Sequence, residues 1–433
     1  MMPVNKTPKE HIVSLRNENI EHLTPGDYRN DFERENNIEN GNIRGYHGRE
    51  ILELLQNADD AYTLYLKNFP NAPKREISVL FEYKSGKLRV SNCGTPFDIN
   101  SITSLSQGNN STKDKGEFIG NKGIGFRALL NWCDDIKIFS GDYSVRFSVQ
   151  TANKYLEELK KQNDKVRKSC EKDPSLCIPM LSTPEWEDDC RKEKDFDTTI
   201  ELNVINDSED MGVMHQVNAF DAYTLIFLRN VTHVIFKTET DSIEFKKDCV
   251  KNGGRRKVTL KKIVQSEEKE IGEFYYFDED DGKFGPKYAI AIPCNFDENF
   301  RGCMYTFFPI LDKKSPFPLL MHSTFDLSSN RNSINAGQRN RQLFENLLEF
   351  FVNQVTKYFT TKEESANVLK LIKPIRYNGS YDFSAPFEGL FDKYLEICRK
   401  YVKLQTVNDD FFAITDGLVL NDGYPKHFKG PPF

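Results

Sequence analysis

No apolar run in this chain approaches the ~20 residues that a membrane-spanning helix needs, so no span of that kind is expected. The opening MMPVNKTPKEHIVSL lacks the basic-then-apolar plan of a secretion signal. No CxxC pair occurs. Nine cysteines, Cys93, Cys133, Cys170, Cys177, Cys190, Cys249, Cys294, Cys303 and Cys398, are dispersed and odd in number, a pattern expected of reduced thiols in a cytoplasmic protein. Cys170, Cys177 and Cys190 lie closer together, but their spacing matches no zinc module. An excess of positive charge is also missing. The formal net charge of −6 argues against a whole-molecule nucleic-acid footprint, leaving room only for a local basic groove. There is no GxxxxGK[ST] loop, which excludes a Walker-type phosphate site. Internal repeats and low-complexity tracts are absent too.

What is present is enough apolar content, 38% with 12% aromatics, to build folded domains. At 433 residues the chain calls for two or three of them. Residues 1–44 are polar and weakly periodic and read as an N-terminal arm or short leading element. Residues 45–210 read as one domain, interrupted by a strongly charged insertion at 151–194. Helix is expected at 49–66 and from Gly123 to about Cys133. Strands are expected at Ile77–Tyr83, Lys87–Asn92, Asp135–Ser140, Tyr143–Val149 and Thr198–Val204, with Lys84-Ser85-Gly86 as a hairpin turn. The acidic stretch Asn206–Asp210 marks a boundary. Residues 211–360 form the next domain, with helices near 216–229 and at 338–359. Residues 361–433 read as a helical C-terminal segment. Grouped helices and adjacent antiparallel-looking strands make the class α+β rather than a βαβ ladder.

The most informative stretch is Glu53-Leu54-Leu55-Gln56-Asn57-Ala58-Asp59-Asp60-Ala61. At about 100° per residue, Asn57 falls roughly 40° from Glu53, and Asp60 roughly 20° on its other side. Carboxylate, amide and carboxylate therefore share one narrow stripe on a helix that is apolar almost all round. Such a stripe either faces solvent or positions water and a hard cation. Three further segments bear on that choice. Asn92-Cys93-Gly94 ends a strand, where Gly94 would let a flat ring approach the main chain and Asn92 would read its polar edge. Gly120-Asn121-Lys122-Gly123-Ile124-Gly125-Phe126 opens a helix, whose free N–H groups and positive dipole end suit phosphate. Before it, residues 106–118 form a polar loop containing Ser111, Thr112, Lys113 and Lys115, of the kind that covers sites. Thr198, on the TTIEL strand, carries a hydroxyl that could cap a ring.

In order and spacing these segments resemble the GHKL superfamily of gyrase, heat-shock chaperone, histidine kinase and mismatch-repair ATPases. The resemblance implies a Bergerat-fold two-layer α/β sandwich, with Glu53 as the general base and Asn57 as the Mg²⁺ ligand. Asp60 would lie at the nucleotide face, Gly120 to Phe126 would hold the β- and γ-phosphates, residues 106–118 would be the ATP lid, and Thr198 would lie near the adenine. Where the family usually has aspartate, this chain has Asn92. Its carbonyl can still accept from an adenine amino group, but its NH₂ adds donors, which leaves ATP against GTP open.

Later, Cys303-Met304-Tyr305-Thr306-Phe307-Phe308-Pro309 precedes Phe317-Pro318-Leu319-Leu320-Met321-His322 and Phe325-Asp326-Leu327-Ser328-Ser329-Asn330-Arg331-Asn332-Ser333-Ile334. This is similar to the sacsin-type, heat-shock-chaperone-like branch, in which an FxLSSNR segment follows the ATPase domain. The branch implies a middle, transducer-like domain and an arginine reaching the γ-phosphate, here Arg331. It implies slow Mg²⁺-dependent ATP hydrolysis driving lid closure and nucleotide-dependent homodimerisation. It implies that the chain is the ATPase part of a larger chaperone-like or antiviral-defence protein, acting with an unidentified protein client or partner subunit. The rival classes are a nucleotide-binding scaffold without hydrolysis, a DNA-clamping ATPase and a histidine kinase. His11, His22 and His47 form no convincing phosphoacceptor hairpin for the last of these.

Overall fold

The computed structural model describes residues 6–23, 48–72, 76–107, 124–252, 255–280, 286–297, 299–328, 331–359, 362–377, 380–381, 383, 386–405 and 411–413. The chain divides into two compact units. One comprises Met1–Lys246 with Lys262–Lys269, the other Lys247–Lys261 with Glu270–Phe433. Both mix helix and sheet.

In the first unit the strands are β1 (Ser78–Lys84), β2 (Lys87–Asn92), β3 (Cys133–Ser140), β4 (Tyr143–Ser148), β5 (Glu185–Trp186), β6 (Thr198–Val204), β7 (His233–Lys237) and β8 (Ser242–Asn252, of which residues to Lys246 lie here). They lie in the order β8-β7-β1-β2-β6-β3-β4-β5. All neighbours are antiparallel except β1 and β7, which run parallel, Ser78 opposite His233. Side chains alternate between the faces of a strand, and the register turns that alternation into rows. Phe81, Val90, Ile200, Ile138 and Val145 form one row, and Leu88, Leu202, Ile136 and Phe147 the next. All nine of these side chains are buried. Between them, on the opposite face, runs a row of charge: Lys237, Glu82, Arg89, Glu201, Lys137, Arg146 and Glu185. The β1–β2 turn is the expected one. Ser85 and Gly86 both take positive φ, 50° and 71°, which matches the twist a two-residue hairpin requires.

The helices of this unit are α1 (Pro8–Leu23), α2 (Glu50–Asn68), α3 (Ile99–Gln107), α4 (Ile124–Arg127), α5 (Val149–Gln162), α6 (Asp164–Lys172), α7 (Val213–Asn218) and α8 (Thr224–Phe227). Two expected helices come out differently. The one from Gly123 gives way after Arg127 to a 3₁₀ turn, Ala128–Asn131, because β3 already begins at Cys133. The one near 216–229 is broken into α7 and α8. Asp221 accepts from the Tyr223 N–H at 3.0 Å in a tight turn, and α8 starts after that turn rather than continuing the first piece. The charged insertion is ordered: Ser148 caps α5 and Asn163 caps α6. Leu156, Leu159, Val166, Cys170, Leu176 and Ile178 form a small core there with Leu23 of α1. The leading segment is thus in part a helix packed on this insertion.

Two expected domain limits also differ. Residues 211–246 belong to the first unit, since β7 hydrogen-bonds to β1 and α7 braces α2. From the expected C-terminal segment, Val368, Leu371, Phe387, Tyr394, Ile397 and Val402 share the core of the preceding segment. That second unit contains β9 (Arg255–Val264, here to Lys261), β10 (Glu267–Asp280, here from Glu270), β11 (Pro286–Pro293), β12 (Cys303–Thr306), β13 (Phe308–Lys314) and β14 (Leu320–Ser323). Its sheet includes the order β13-β12-β14-β11-β10. Against it lies α9 (Gln338–Tyr358), whose Phe344, Leu347, Leu348, Phe351, Val352 and Val355 recur at helical spacing and are fully buried. The tail adds α10 (Lys362–Ile372) and α11 (Phe391–Tyr401). Phe387 stacks on Phe344 at 3.9 Å between ring centroids, and Tyr394 packs against Phe317 at 5.2 Å.

Candidate functional site

The acidic–amide stripe is not a solvated face. Glu53 is 3% exposed and Asp60 2%, while Asn57 is half-buried. The N-terminus of α2 carries no side-chain cap of its own. It is completed instead by Gln216 of α7, whose Oε1 accepts from the Ile51 N–H at 3.1 Å while its Nε2 donates to the buried Glu50 carboxylate. Free N–H groups at a helix start need such partners, and Gln216 supplies one from a distant part of the chain.

Asp59, beside Asp60 but about 100° round the helix, had no role in the sequence reading. Its Oδ1 accepts the N–H groups of Asn230 and Val231 at 2.8 and 2.9 Å, and its own carbonyl accepts from the Asn230 side chain. The carboxyl is fully enclosed, and burial pushes its pKa up. The two backbone N–H bonds oppose that shift without cancelling it.

At its next residue α2 meets the Asn92–Gly94 turn. The Thr95 N–H donates to the Ala61 carbonyl at 2.9 Å. Gly94 sits at φ +142°, and a Cβ there would lie 2.6 Å from the Ala61 carbonyl carbon. Glycine is therefore required by the approach of the helix backbone, a packing reason the sequence reading did not foresee. From the other side, Asp197 Oδ2 accepts the Gly94 N–H at 2.9 Å, and the Asp197 N–H donates to the Asn92 carbonyl at 3.1 Å.

Asn92 is 7% exposed and directly opposite Thr198 in the β2–β6 register; Thr198 in turn is opposite Ser140 of β3. Three strand ends thus bring Asn92, Thr198 and Ser140 together. The Thr198 and Ser140 hydroxyls share a 2.5 Å hydrogen bond, and Ser140 Oγ also accepts the Phe97 N–H at 2.9 Å. The Asn92 Nδ2 donates to the Cys93 carbonyl at 3.1 Å, so a donor of that amide is turned to its own backbone. Ser140 and Asp197 escaped the sequence reading because only the strand register brings them to this corner.

Ser111, Thr112, Lys113, Gly120, Asn121, Lys122 and Gly123 lie outside the described residues, as do 108–110 and 114–119. Ile124 and Gly125 begin α4, and Phe126 is 3% exposed. Arg127 Nη2 donates to the Leu105 carbonyl in the last turn of α3 at 3.0 Å, which ties together the two ends that flank this segment. Among the described residues, no group of three or more His, Cys, Asp or Glu side chains is gathered as a metal site. A single amide such as Asn57, sharing an ion with phosphate oxygens and water, needs no such group.

Within the second unit, Arg331 is half-buried and holds φ +57°, the left-handed region that a non-glycine residue seldom occupies. Its N–H donates to the Ser328 carbonyl at 2.9 Å. Ser329 and Asn330 are outside the described residues. No protein-family model matches the chain, and a search of the curated proteins finds no match.

Proposed function

We propose that the chain is a Mg²⁺-dependent ATPase of the GHKL type, sacsin-like and chaperone-like, its first unit a Bergerat-type two-layer sandwich. The observation that carries this reading is one junction. A helix with buried Glu53 and Asp60 is joined at Ala61 to the Asn92–Gly94 turn, and Asn92 stands beside Thr198 and Ser140. Three of the four sequence segments singled out for nucleotide chemistry, distant along the chain, have described residues that bear on it.

In this reading Glu53 takes a proton from the attacking water as the water oxygen bonds to the γ-phosphorus. The electron pair of the broken bond leaves on the β–γ bridging oxygen, giving ADP and phosphate. Asn57 would hold Mg²⁺, which neutralises charge on the phosphate oxygens when bound. Gly120 to Gly125 and Lys122 would cradle the phosphates. Asn92, with a donor engaged by the Cys93 carbonyl, would present Oδ1 as an acceptor to the exocyclic amino group of adenine; guanine also carries such a group, so calorimetry with ATP and GTP decides between them. Arg331 would stabilise charge developing on the γ-phosphate. Nucleotide-dependent dimerisation and a cytoplasmic client are proposed on the same basis.

Glu53→Ala is expected to abolish phosphate release while ATP still binds by calorimetry. Release unchanged in that variant rules out Glu53 as the base. Binding by both proteins with release by neither makes the chain a nucleotide-binding scaffold. A DNA clamp is the weaker rival. The basic run at 255–261 is largely spent on internal pairs, Arg255 with Glu364 at 2.6 Å, Lys257 with Glu273 at 2.6 Å and Lys261 with Asp248 at 3.1 Å.

A further inference from the structure

The stretch that carries Arg331 is fastened at its base by one buried amide. We infer that Asn340 is a positioning residue for Arg331, holding the guanidinium's backbone where it acts on nucleotide phosphate; the inference rests on the ATPase reading above.

Asn340 lies in the first turn of α9 and is 2% exposed. Its Oδ1 accepts the Asp326 N–H at 2.8 Å. Its Nδ2 donates to the Asp326 carbonyl at 2.8 Å and to the Asn335 carbonyl at 2.8 Å. Both N–H donors of the amide and its oxygen are therefore used, and all three bonds go to the two backbone positions where the Arg331 stretch begins and ends. The Asn335 N–H also donates to the Asp326 carbonyl at 3.0 Å, closing the same rung.

Above that rung, Leu327 bridges Ile334, and Ser328 faces Ser333. The Ser328 N–H donates to the Ser333 carbonyl at 3.0 Å, the Ser333 N–H to Ser328 Oγ at 3.2 Å, and the two hydroxyls lie 3.0 Å apart. Arg331 sits beyond these rungs at positive φ. A backbone held in a sparsely populated region persists only where its surroundings over-determine it, and here the surroundings are the serine rung and the Asn340 bracket. Capping alone does not explain Asn340. The N-cap of α9 is Gly337, and none of the Asn340 side-chain bonds reaches an amide at the start of the helix.

The test uses the full chain and two readouts. In Asn340→Ala, hydrogen exchange at the Asp326, Ser328 and Asn335 amides is expected to accelerate, while Leu347 and Phe351 amides in α9 stay protected. Turnover is expected to fall by on the order of 10²-fold, the scale of a small misplacement of a catalytic group, with ATP affinity unchanged. Because the amide acts through Arg331, Asn340→Ala combined with Arg331→Ala is expected to be no slower than Arg331→Ala alone. Asn340→Ser keeps a short neutral hydroxyl that can both donate and accept, so it is expected to fall between, and it serves if the alanine variant does not fold. Accelerated exchange with wild-type turnover, or additive losses in the double variant, overturns the inference and leaves the ATPase reading standing. A wild-type chain that releases no phosphate overturns both.

Discussion

Asp59 and Asp60 are adjacent, yet their carboxylates serve different ends, because one helical step of about 100° turns them to different neighbours. Asp60 completes the stripe proposed to face nucleotide. Asp59 grips the Asn230–Val231 backbone ahead of β7 and is fully enclosed. A carboxyl whose pKa is raised on folding contributes stability that is fully present below its ordinary value of 3.8 and is lost as pH rises through the folded value. An amide in its place can still accept both N–H groups and has no proton to lose. Asp59→Asn is therefore expected to gain stability relative to wild type as pH is raised from about 4 to about 7, read as diverging urea midpoints. Parallel midpoints would mean that the enclosed carboxyl does not titrate in that window. Gly94 gives a second residue-scale prediction. A methyl at a site with backbone atoms at 2.6–2.8 Å must displace α2 or the turn, so Gly94→Ala is expected to cost ~2–4 kcal/mol. A loss in urea below about 1 kcal/mol would show that helix and turn are not locked together.

At the scale of elements, the sheet of the first unit carries a continuous row of charge on one face. Arg89 is the centre of it, with Nη1 3.7 Å from Glu82 and 3.3 Å from Glu193, and Nε 3.6 Å from Glu201; Nη2 donates to the Arg191 carbonyl at 2.6 Å. Opposite charges on adjacent strands stabilise a register, and like charges left facing each other oppose it. Arg89→Met keeps the aliphatic stem but leaves three carboxylates without this cation. It is expected to cost ~1–2 kcal/mol at low salt, and less in molar salt, where the repulsion is screened. A salt-independent loss would assign the effect to packing. The strands themselves were legible, since TTIELNV and the segments around Ser85-Gly86 alternate with the period of a half-buried sheet. So was α2, whose apolar run and polar stripe are local properties. Ser140, Asp197 and Gln216 were not legible. Each acts on a partner far along the chain, and no local period encodes which strand end or helix start it will meet. The break between α7 and α8 was missed for a different reason: Asp221 lies inside an apolar-periodic stretch, and only its side-chain bond to the Tyr223 N–H marks the turn that interrupts it.

For the whole molecule, the position of β7 decides where the first unit ends. An acidic, polar stretch such as Asn206–Asp210 has the composition of a linker, but β7 returns beyond it to pair with β1 in parallel, which requires a long connection rather than a turn. That connection is used throughout. Met211 offers its carbonyl to the Trp132 indole at 3.2 Å and to the Gln216 side chain at 3.0 Å, Gln216 completes the start of α2, and residues 230–231 donate two N–H groups to Asp59 Oδ1. A fragment ending at residue 210 would expose the β1 edge and remove the two N–H donors of Asp59, each such hydrogen bond contributing about 0.5–1.5 kcal/mol net. Against a domain's net stability of about 5–15 kcal/mol, losing β7, α7 and the Asp59 contacts together is decisive. The fragment 1–210 is expected to show no cooperative urea transition and no ATP binding, while the full chain shows both if the nucleotide reading holds. A cooperatively unfolding 1–210 fragment would overturn the division at Lys246, and ATP binding by it would show that the stripe and the Asn92 turn need nothing from residues 211–246.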